Sequence, residues 1–401
     1  MRANWTETTL GVVATLGNGG AWGADEPGDG LVDAACLRGT DLADLINGEQ
    51  PTAPVRWLKE SELTKARCVE NMILIETSGS KCGRSVLLTK KMLDVFERPV
   101  VFSNFCRTLR IDLEKILNKY AELWFSHAYA TGLIPSYRAT SAMPNLDIKS
   151  LLRIEKMLIP PLSEQKRIVD VIVSVDAYIA ALQQQADDAR AARNAVLHEL
   201  LTAGGDVWTE TTLGAVAEVE MGQSPPGHTY NTGGLGLPFM QGSAEFGERS
   251  PRPVKFCSAP LKVAEIGDLL LSVRAPVGDS NIADQRIAIG RGLAVIRGNG
   301  QTITTFLRLL IQANTLRLLA VSGTGMFSSI TSKNLREFSL ALPPIAEQKR
   351  FVEIVTAMDD FISTTEQAIA RAELLRSGLL SDLFSGEHEI PDSYDRLLGA
   401  A

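Results

Sequence analysis

The chain has 401 residues, of which 45% are hydrophobic and 22% charged, so it is longer than one core usually supports and two or more domains are expected. No segment approaches the ~20 uninterrupted apolar residues that a membrane span needs, and the N-terminus lacks an apolar leader, so a cytoplasmic protein is expected. A net charge of −7 argues against indiscriminate binding to nucleic acid, although the acid is unevenly spread.

Taken in chain order, the sequence is written twice. WTETTLG opens a first globular block, residues 1–161, that ends at IPPLSEQKRIV, residues 159–169. The Pro160-Pro161 step disfavours helix in the residue before it and permits one to start just after, with Glu164 in a first turn where the helix dipole favours it. A helix is predicted over 162–206. Its apolar stripe falls on Ile168, Ile172, Val175, Ile179, Leu182, Ala186, Ala189, Arg193, Val196 and Leu200. WTETTLG then recurs unchanged at 208–214 and opens a second block, 207–342. LPPIAEQKRFV at 342–352 begins a second helix, 343–386, before a tail at 387–401. Shifting the first stripe by 183 residues gives Phe351, Val355, Met358, Ile362, Thr365, Ile369, Ala372, Arg376, Leu379 and Leu383, the same spacing.

A helix of about 38 residues is about 57 Å long, too long for the interior of one small domain, so pairing with its copy is the natural way to bury the stripe. The expected architecture is α+β: two strand-rich blocks separated by two long antiparallel coiled-coil helices, related by a pseudo-two-fold repeat. Arg193 and Arg376 occupy equivalent seam positions, where they either set register or snorkel to the surface, snorkelling being the expected account. Acid is concentrated on the helical stretches: residues 162–206 carry 7 acidic and 4 basic side chains, and 343–401 carry 11 and 5. Asp187, Asp188, Asp359 and Asp360 are the acids expected to face a basic partner surface.

The duplicated PP-EQKR helices, each following a variable block, resemble the specificity (S) subunits of type I restriction-modification systems over the whole chain. GQSPPGHTYN (222–231), LPFMQGS (237–243), GDLLLSVRAPVGDSNIA (267–283), IGRGLAVIR (289–297) and SGTGMFSSIT (322–331) are similar to one class of target-recognition domain. LRGTDL (37–42), GRSVLL (83–88) and FSNFCR (102–107) are similar to another. The resemblance implies that each block reads half of an asymmetric bipartite DNA site, while the helices set the spacer and dock methyltransferase subunits, two of them expected. It also implies partner restriction/translocase subunits, with S-adenosylmethionine, ATP and Mg on the partners and no cofactor in this chain.

Base readout needs side chains with fixed donors and acceptors, chiefly Arg, Lys, Asn and Gln, while other groups hold phosphates. In the first block the candidates are Arg38, Asp41, Ser78, Lys81, Arg84, Asn104, Arg107 and Arg110; a strand with a solvated polar face accounts for FSNFCRTLR about as well. In the second, Gln223, Ser224, His228 and Tyr230 lie in a Gly/Pro-rich loop read as non-helical, which is either a contact loop or a plain surface turn. Gln241 and Ser243 follow an apolar run. Arg274 precedes a dipeptide Ala-Pro at a strand end and is either a DNA contact or a buried ion pair, and Arg291 sits between glycines. Thr324, Ser328 and Lys333 resemble a phosphate-holding stretch, with Thr331 or Ser332 as helix caps.

Two other function classes compete with a DNA reader: a self-contained DNA methyltransferase or restriction enzyme, and a coiled-coil scaffold. Catalysis should leave marks, and the chain has no N/D-P-P-Y/F motif, no GxxxxGK[ST] loop and no nuclease carboxylate-lysine cluster. Its five cysteines, Cys36, Cys68, Cys82, Cys106 and Cys257, form no CxxC pair and are expected to be buried reduced thiols. None of the four histidines has a second ligand at metal-binding spacing, so no metal is expected.

Overall fold

The computed structural model describes residues 4–139, 144–202, 208–247, 250–320, 329–391 and 393–395. The chain divides into two compact units, Met1–Ala181 with Ile369–Ala401, and Leu182–Ala368. Both divisions fall inside the long helices Leu162–Thr202 and Ile345–Ser385, each 41 residues, so each unit holds one globular block and one end of each helix. Among the described residues no helix is long and apolar enough to cross a membrane.

In the first unit every letter of WTETTLG has a structural job. Strand Thr6–Thr9 pairs antiparallel with Lys156–Ile159, the strand that leads into the double proline. Trp5 is buried and its Nε1 donates to Glu164 at 3.0 Å, Leu10 is fully buried, and the Leu10 N–H donates to the Glu155 carbonyl at 2.9 Å. At Gly11 a Cβ would stand 3.0 Å from the Leu152 carbonyl oxygen, so the chains approach too closely for a side chain without adjustment. The second copy repeats this. Thr209–Thr212 pairs with Ser339–Leu342, Trp208 Nε1 donates to Glu347 at 3.2 Å, Leu213 is fully buried with its N–H on Phe338, and a Cβ on Gly214 would meet Arg336 at 2.9 Å.

The same repetition explains EQKR. Gln165 is fully buried; its Oε1 accepts from the Leu117 N–H at 2.8 Å, and its Nε2 donates to the carbonyls of Lys115 and Pro160, both at 2.9 Å. Gln348 accepts from Thr302 Oγ1 and the Ile303 N–H, and donates to Gln301 and Pro343. Each helix start is thereby bolted to its own block through groups that would otherwise be buried unpaired.

The two blocks share one strand plan although their sequences differ. In the first, a four-stranded sheet runs in the order Ala14–Gly19, Cys106–Ile111, Ile73–Glu76, Ser85–Leu87, beside a three-stranded sheet Val55–Lys59, Leu31–Leu37, Val100–Phe102. In the second, the corresponding sheets are Ala217–Met221, Leu293–Gly298, Leu269–Ser272, Ser280–Ile282 and Tyr230–Asn231, Lys255–Cys257, Leu237–Met240, Ile287–Ile289, Val263–Ala264. The three-stranded sheet of the first block and the five-stranded sheet of the second each contain one parallel pair, Leu31–Leu37 with Val100–Phe102 and Leu237–Met240 with Ile287–Ile289; every other pairing among the described strands is antiparallel. A parallel pair needs a long crossover, and in both blocks the crossover carries the hairpin at one edge of the other sheet, Ile73–Glu76 with Ser85–Leu87 and Leu269–Ser272 with Ser280–Ile282.

Within each unit the helix ends run antiparallel and contribute to the block's core. Ile168, Ile172, Leu380, Leu383 and Phe384 join the first unit's main cluster, and Leu197 and Val355 join the second's. The predicted stripe is the buried face: no described member of it is exposed, whereas Leu200 lies outside the described side chains. The seam arginines correct the snorkelling expectation. Arg376 forks onto Asp176 in the first unit and Arg193 onto Asp359 in the second, pairs related by the same 183-residue shift. A guanidinium beside a partly covered carboxylate satisfies its fork there at less cost than extending to water. Asp359 is therefore a seam partner, not an open charge for a partner protein, and Asp187 is paired with Arg190, which also bonds Glu366.

Candidate nucleic-acid interface

In the second unit three loops meet at one end of the parallel pair. Gln241–Ser243 follows strand Leu237–Met240, Arg274–Asp279 links Leu269–Ser272 to Ser280–Ile282, and Gly290–Gly292 links Ile287–Ile289 to Leu293. They enclose a cleft of about 470 Å³ lined by Gln241, Ser243, Ser272, Arg274, Asp279 and Arg291. Gly292 is required for the closure, since its N–H donates to the Gln241 carbonyl at 3.0 Å and a Cβ would lie 2.1 Å from that oxygen.

Ser224 organises the donors. Its Oγ accepts from Gln241 Nε2 at 3.2 Å and from both the N–H and Nε of Arg291 at 3.3 and 3.2 Å. Ser243 Oγ donates to Asp279 at 3.0 Å, and Ser272 Oγ to the Arg274 carbonyl at 2.8 Å. Gln241, Arg274 and Arg291 remain exposed, which removes the buried-ion-pair alternative for Arg274. Asp279 is not among the sequence candidates, which favour Arg, Lys, Asn and Gln, although it stands inside GDLLLSVRAPVGDSNIA (267–283).

Other second-block candidates lie apart from this cleft lining. Gln223 and His228 are exposed. Tyr230 is corrected to a structural role: its hydroxyl donates to the Pro225 carbonyl at 2.7 Å and its ring stacks on Phe239 at 4.5 Å. The loop read as non-helical contains one 3-10 turn, Gly227–Thr229, and Thr229 is pinned by its own hydroxyl to Pro226. Thr331 caps helix Ser332–Arg336 through the Asn334 N–H, and Lys333 is exposed there; Thr324 and Ser328 lie outside the described residues.

The first block places candidates on the same three loops. Arg38 follows the first strand of the parallel pair, Ser78 and Lys81 lie in the hairpin loop after Ile73–Glu76, and Asn104 lies in the turn after Val100–Phe102. Ser78 and Thr77 donate their N–H groups to the Phe105 carbonyl, so the hairpin loop and that turn are joined. Lys81, Asn104 and Phe105 are exposed. Asp41 is corrected: it is fully buried, accepts from the Arg38 N–H at 2.7 Å and is forked by the Arg38 guanidinium, so it closes a helix N-terminus. Arg84 is corrected likewise, since it bonds Glu76 at 2.8 Å and the Gly39 carbonyl at 2.8 Å. Arg107 donates to Gly17 and Arg110 to Asn18, both on strand Cys106–Ile111 rather than on the loops.

All five cysteines are free and buried; burial pushes the Cys36 and Cys106 thiols up to about 12 and leaves them unreactive. Among the described residues no group of three or more His, Cys, Asp or Glu side chains could hold a metal ion.

Comparison with known proteins agrees with the duplicated plan. The description "Type I restriction modification DNA specificity domain" matches residues 59–188 and again 206–374. The chain is 34% identical over 250 residues to a specificity subunit assigned to the type I restriction enzyme MjaX of Methanocaldococcus jannaschii, covering 58% of this chain and 59% of that protein. It is 27% identical over 125 residues to the MjaIX specificity subunit of the same organism, 30% of this chain and 28% of the relative. These matches thus span less than two thirds of either relative. The fold is similar to a chain from a type I R-M system structure on complex assembly and conformational transition (TM-score 0.66, 23% identity, 96% of this chain and 98% of the other). It is also similar to the HsdS subunit from Thermoanaerobacter tengcongensis (TM-score 0.53, 24% identity, 97% and 98%). With two separate matches that together span most of its length, the chain belongs to the type I restriction modification DNA specificity domain family.

Proposed function

We propose that this chain is the DNA specificity subunit of a type I restriction-modification complex, in which each block reads one half of an asymmetric, two-part DNA site. The observation that carries this reading is the recurrence of polar side chains on the same three loops of both blocks: Arg38, Ser78, Lys81 and Asn104 in one, Gln241, Arg274, Asp279 and Arg291 in the other, all exposed except Arg38 and Ser78, which are half-buried and bonded to Asp41 and Asn145. One scaffold holding different side chains at equivalent loops is how a duplicated reader recognises two unlike sequences. Arg274 and Arg291 are suited to guanine O6/N7 or phosphate, and Gln241 to adenine. Gln223, Ser224, His228, Ser243, Lys333, Arg107 and Arg110 contribute to positioning on the duplex backbone.

The chain has no catalysis of its own in this reading. Methyl transfer, translocation and cleavage, with their S-adenosylmethionine, ATP and Mg, belong to partner methyltransferase and restriction subunits. The helices set the spacer and dock the methyltransferase subunits. Tyr178 and Phe361, both exposed and 183 residues apart, offer two equivalent apolar contact points, which suits two copies of one partner.

The test is to purify the chain with and without its methyltransferase partner and map methylation on random-sequence DNA. Methylation confined to one two-part motif, and dependent on both proteins, is expected. Methylation by this chain alone would establish an enzyme instead, and unchanged partner specificity would leave a scaffold.

A further inference from the structure

The reading cleft of the second unit adjoins another hollow of about 430 Å³, walled by Ser243, Asp279, Ser280, Asn281, Arg308 and Gln312 among others. The Ser243–Asp279 hydrogen bond is the edge common to both. The two hollows differ in hydrogen-bonding character. The first presents Arg274, Arg291 and Gln241. In the second, Asn281 is 2% exposed and its Nδ2 is spent on the carbonyls of Gly247 and Ser280 at 2.8 and 3.2 Å, which fixes the amide orientation and leaves Oδ1 buried without a partner. Ser280 Oγ and Gln312 Oε1 are also buried without partners.

A buried acceptor without a donor destabilises the fold, and native proteins keep few of them. The Asn281 and Gln312 amide oxygens can only accept, the Ser280 hydroxyl can accept as well as donate, and all three residues line one hollow beside the Asp279 carboxylate, which suits an occupant that brings hydrogen-bond donors. The oxygen set alone would suit a hard cation, but the Arg308 guanidinium in the same wall opposes one. A neutral donor fits. In the DNA major groove the neutral donors are the exocyclic amino groups of adenine N6 and cytosine N4, and carboxylate and amide oxygens are the groups that accept from them.

We propose that the hollow between Asp279, Asn281 and Gln312 is an acceptor subsite that takes the exocyclic amino group of one adenine or cytosine in the half-site read by the second block. This rests on the reading of the chain as a DNA specificity subunit. The second half-site then contains an amino-bearing base next to the base or phosphate held by Arg274 and Arg291.

The experiment uses the full chain in complex with its methyltransferase partner, on duplexes carrying the methylated motif. Each adenine of the second half-site is replaced in turn by purine, and each cytosine by pyrimidin-2-one, analogues that lack only the amino group. Fluorescence anisotropy should show a loss of about tenfold or more at one position with the wild-type complex. A purine hit identifies adenine and a pyrimidin-2-one hit cytosine. In the Asp279→Ala and Gln312→Met complexes that position should become indifferent to the analogue while discrimination elsewhere in the motif persists; Gln312→Met removes a buried unpaired oxygen and should fold as well as wild type. A wild-type complex indifferent to every amino deletion, or variants that keep full sensitivity, would overturn the subsite while leaving the specificity reading intact. If the wild-type complex binds the motif no better than scrambled DNA, the specificity reading itself fails.

Discussion

At the scale of single residues, the molecule separates those that hold it together from those free to meet a ligand. Gln165 and Gln348 belong to the first group: each is fully buried, and each ties a helix start to its block through bonds on both ends of its amide. Gln165→Leu or Gln348→Leu should lower unfolding stability by about 2 kcal/mol or more, measured by denaturant titration, because backbone N–H and C=O groups are left buried. Exposed Lys166→Ala beside it should stay within about 0.5 kcal/mol. Arg291 belongs to the second group. Arg291→Ala should leave the melting temperature near wild type and relax the methylation motif at one position, a discrimination worth about 1–3 kcal/mol. A third residue gives a pH dependence. Burial, and secondarily the Arg376 charge, hold the His127 imidazole below its ordinary value of 6.5. Above that value His127 is neutral whether folded or unfolded. As the pH falls through it the unfolded chain takes up the proton and the folded chain resists, so stability declines until the folded value is passed. His127→Gln should flatten the curve of melting temperature against pH between 8 and 5.

At the scale of elements, the long helices illustrate what periodicity delivers. A 4-3 apolar spacing needs only neighbouring residues to be recognised, and the stripe read from the sequence is the face that is covered. The partners of Arg193 and Arg376 were not legible, because the acids they meet, Asp359 and Asp176, lie on the other helix, 166 and 200 residues away in sequence. Within the second unit Asp359→Arg should destabilise, and adding Arg193→Asp should recover part of the loss. A coupling of about 0.5–3 kcal/mol in the double-mutant cycle is expected, and no coupling would make the seam pair incidental. The strand repeats carry the same lesson. WTETTLG and the strand before each double proline are partners separated by about 150 residues in one block and 130 in the other; duplication exposed WTETTLG, but of its partner strands only the last residues, Ile159 and Leu342, stand in the repeated strings.

At the scale of the whole molecule, function as proposed depends on the helices acting as a ruler. Inserting four residues, about one turn, at matching points in both helices adds about 6 Å, close to two base-pair steps at about 3.4 Å each. Mapping methylated sites should then show the same two half-sites with a spacer about two base pairs longer, and an unchanged spacer would dissociate the helices from spacing. The sequence by itself determined the duplicated plan, the position of both helices and their covered face, since repeats and periodicity are local or self-referential signals. It also pointed to the strings that form the loops proposed to read DNA. Which side chains in those strings are free was decided only by tertiary structure. Asp41, Arg84 and Tyr230 have the chemistry of contact residues but spend it on Arg38, Glu76 and Pro225. Asp279 and Asn281 became visible only where the parallel strand pair brings loops near residues 241, 279 and 291 together. The physical reason is the range of the interactions: a side chain's donors and acceptors are fixed by its type, but whether they are already satisfied depends on neighbours supplied by distant parts of the chain.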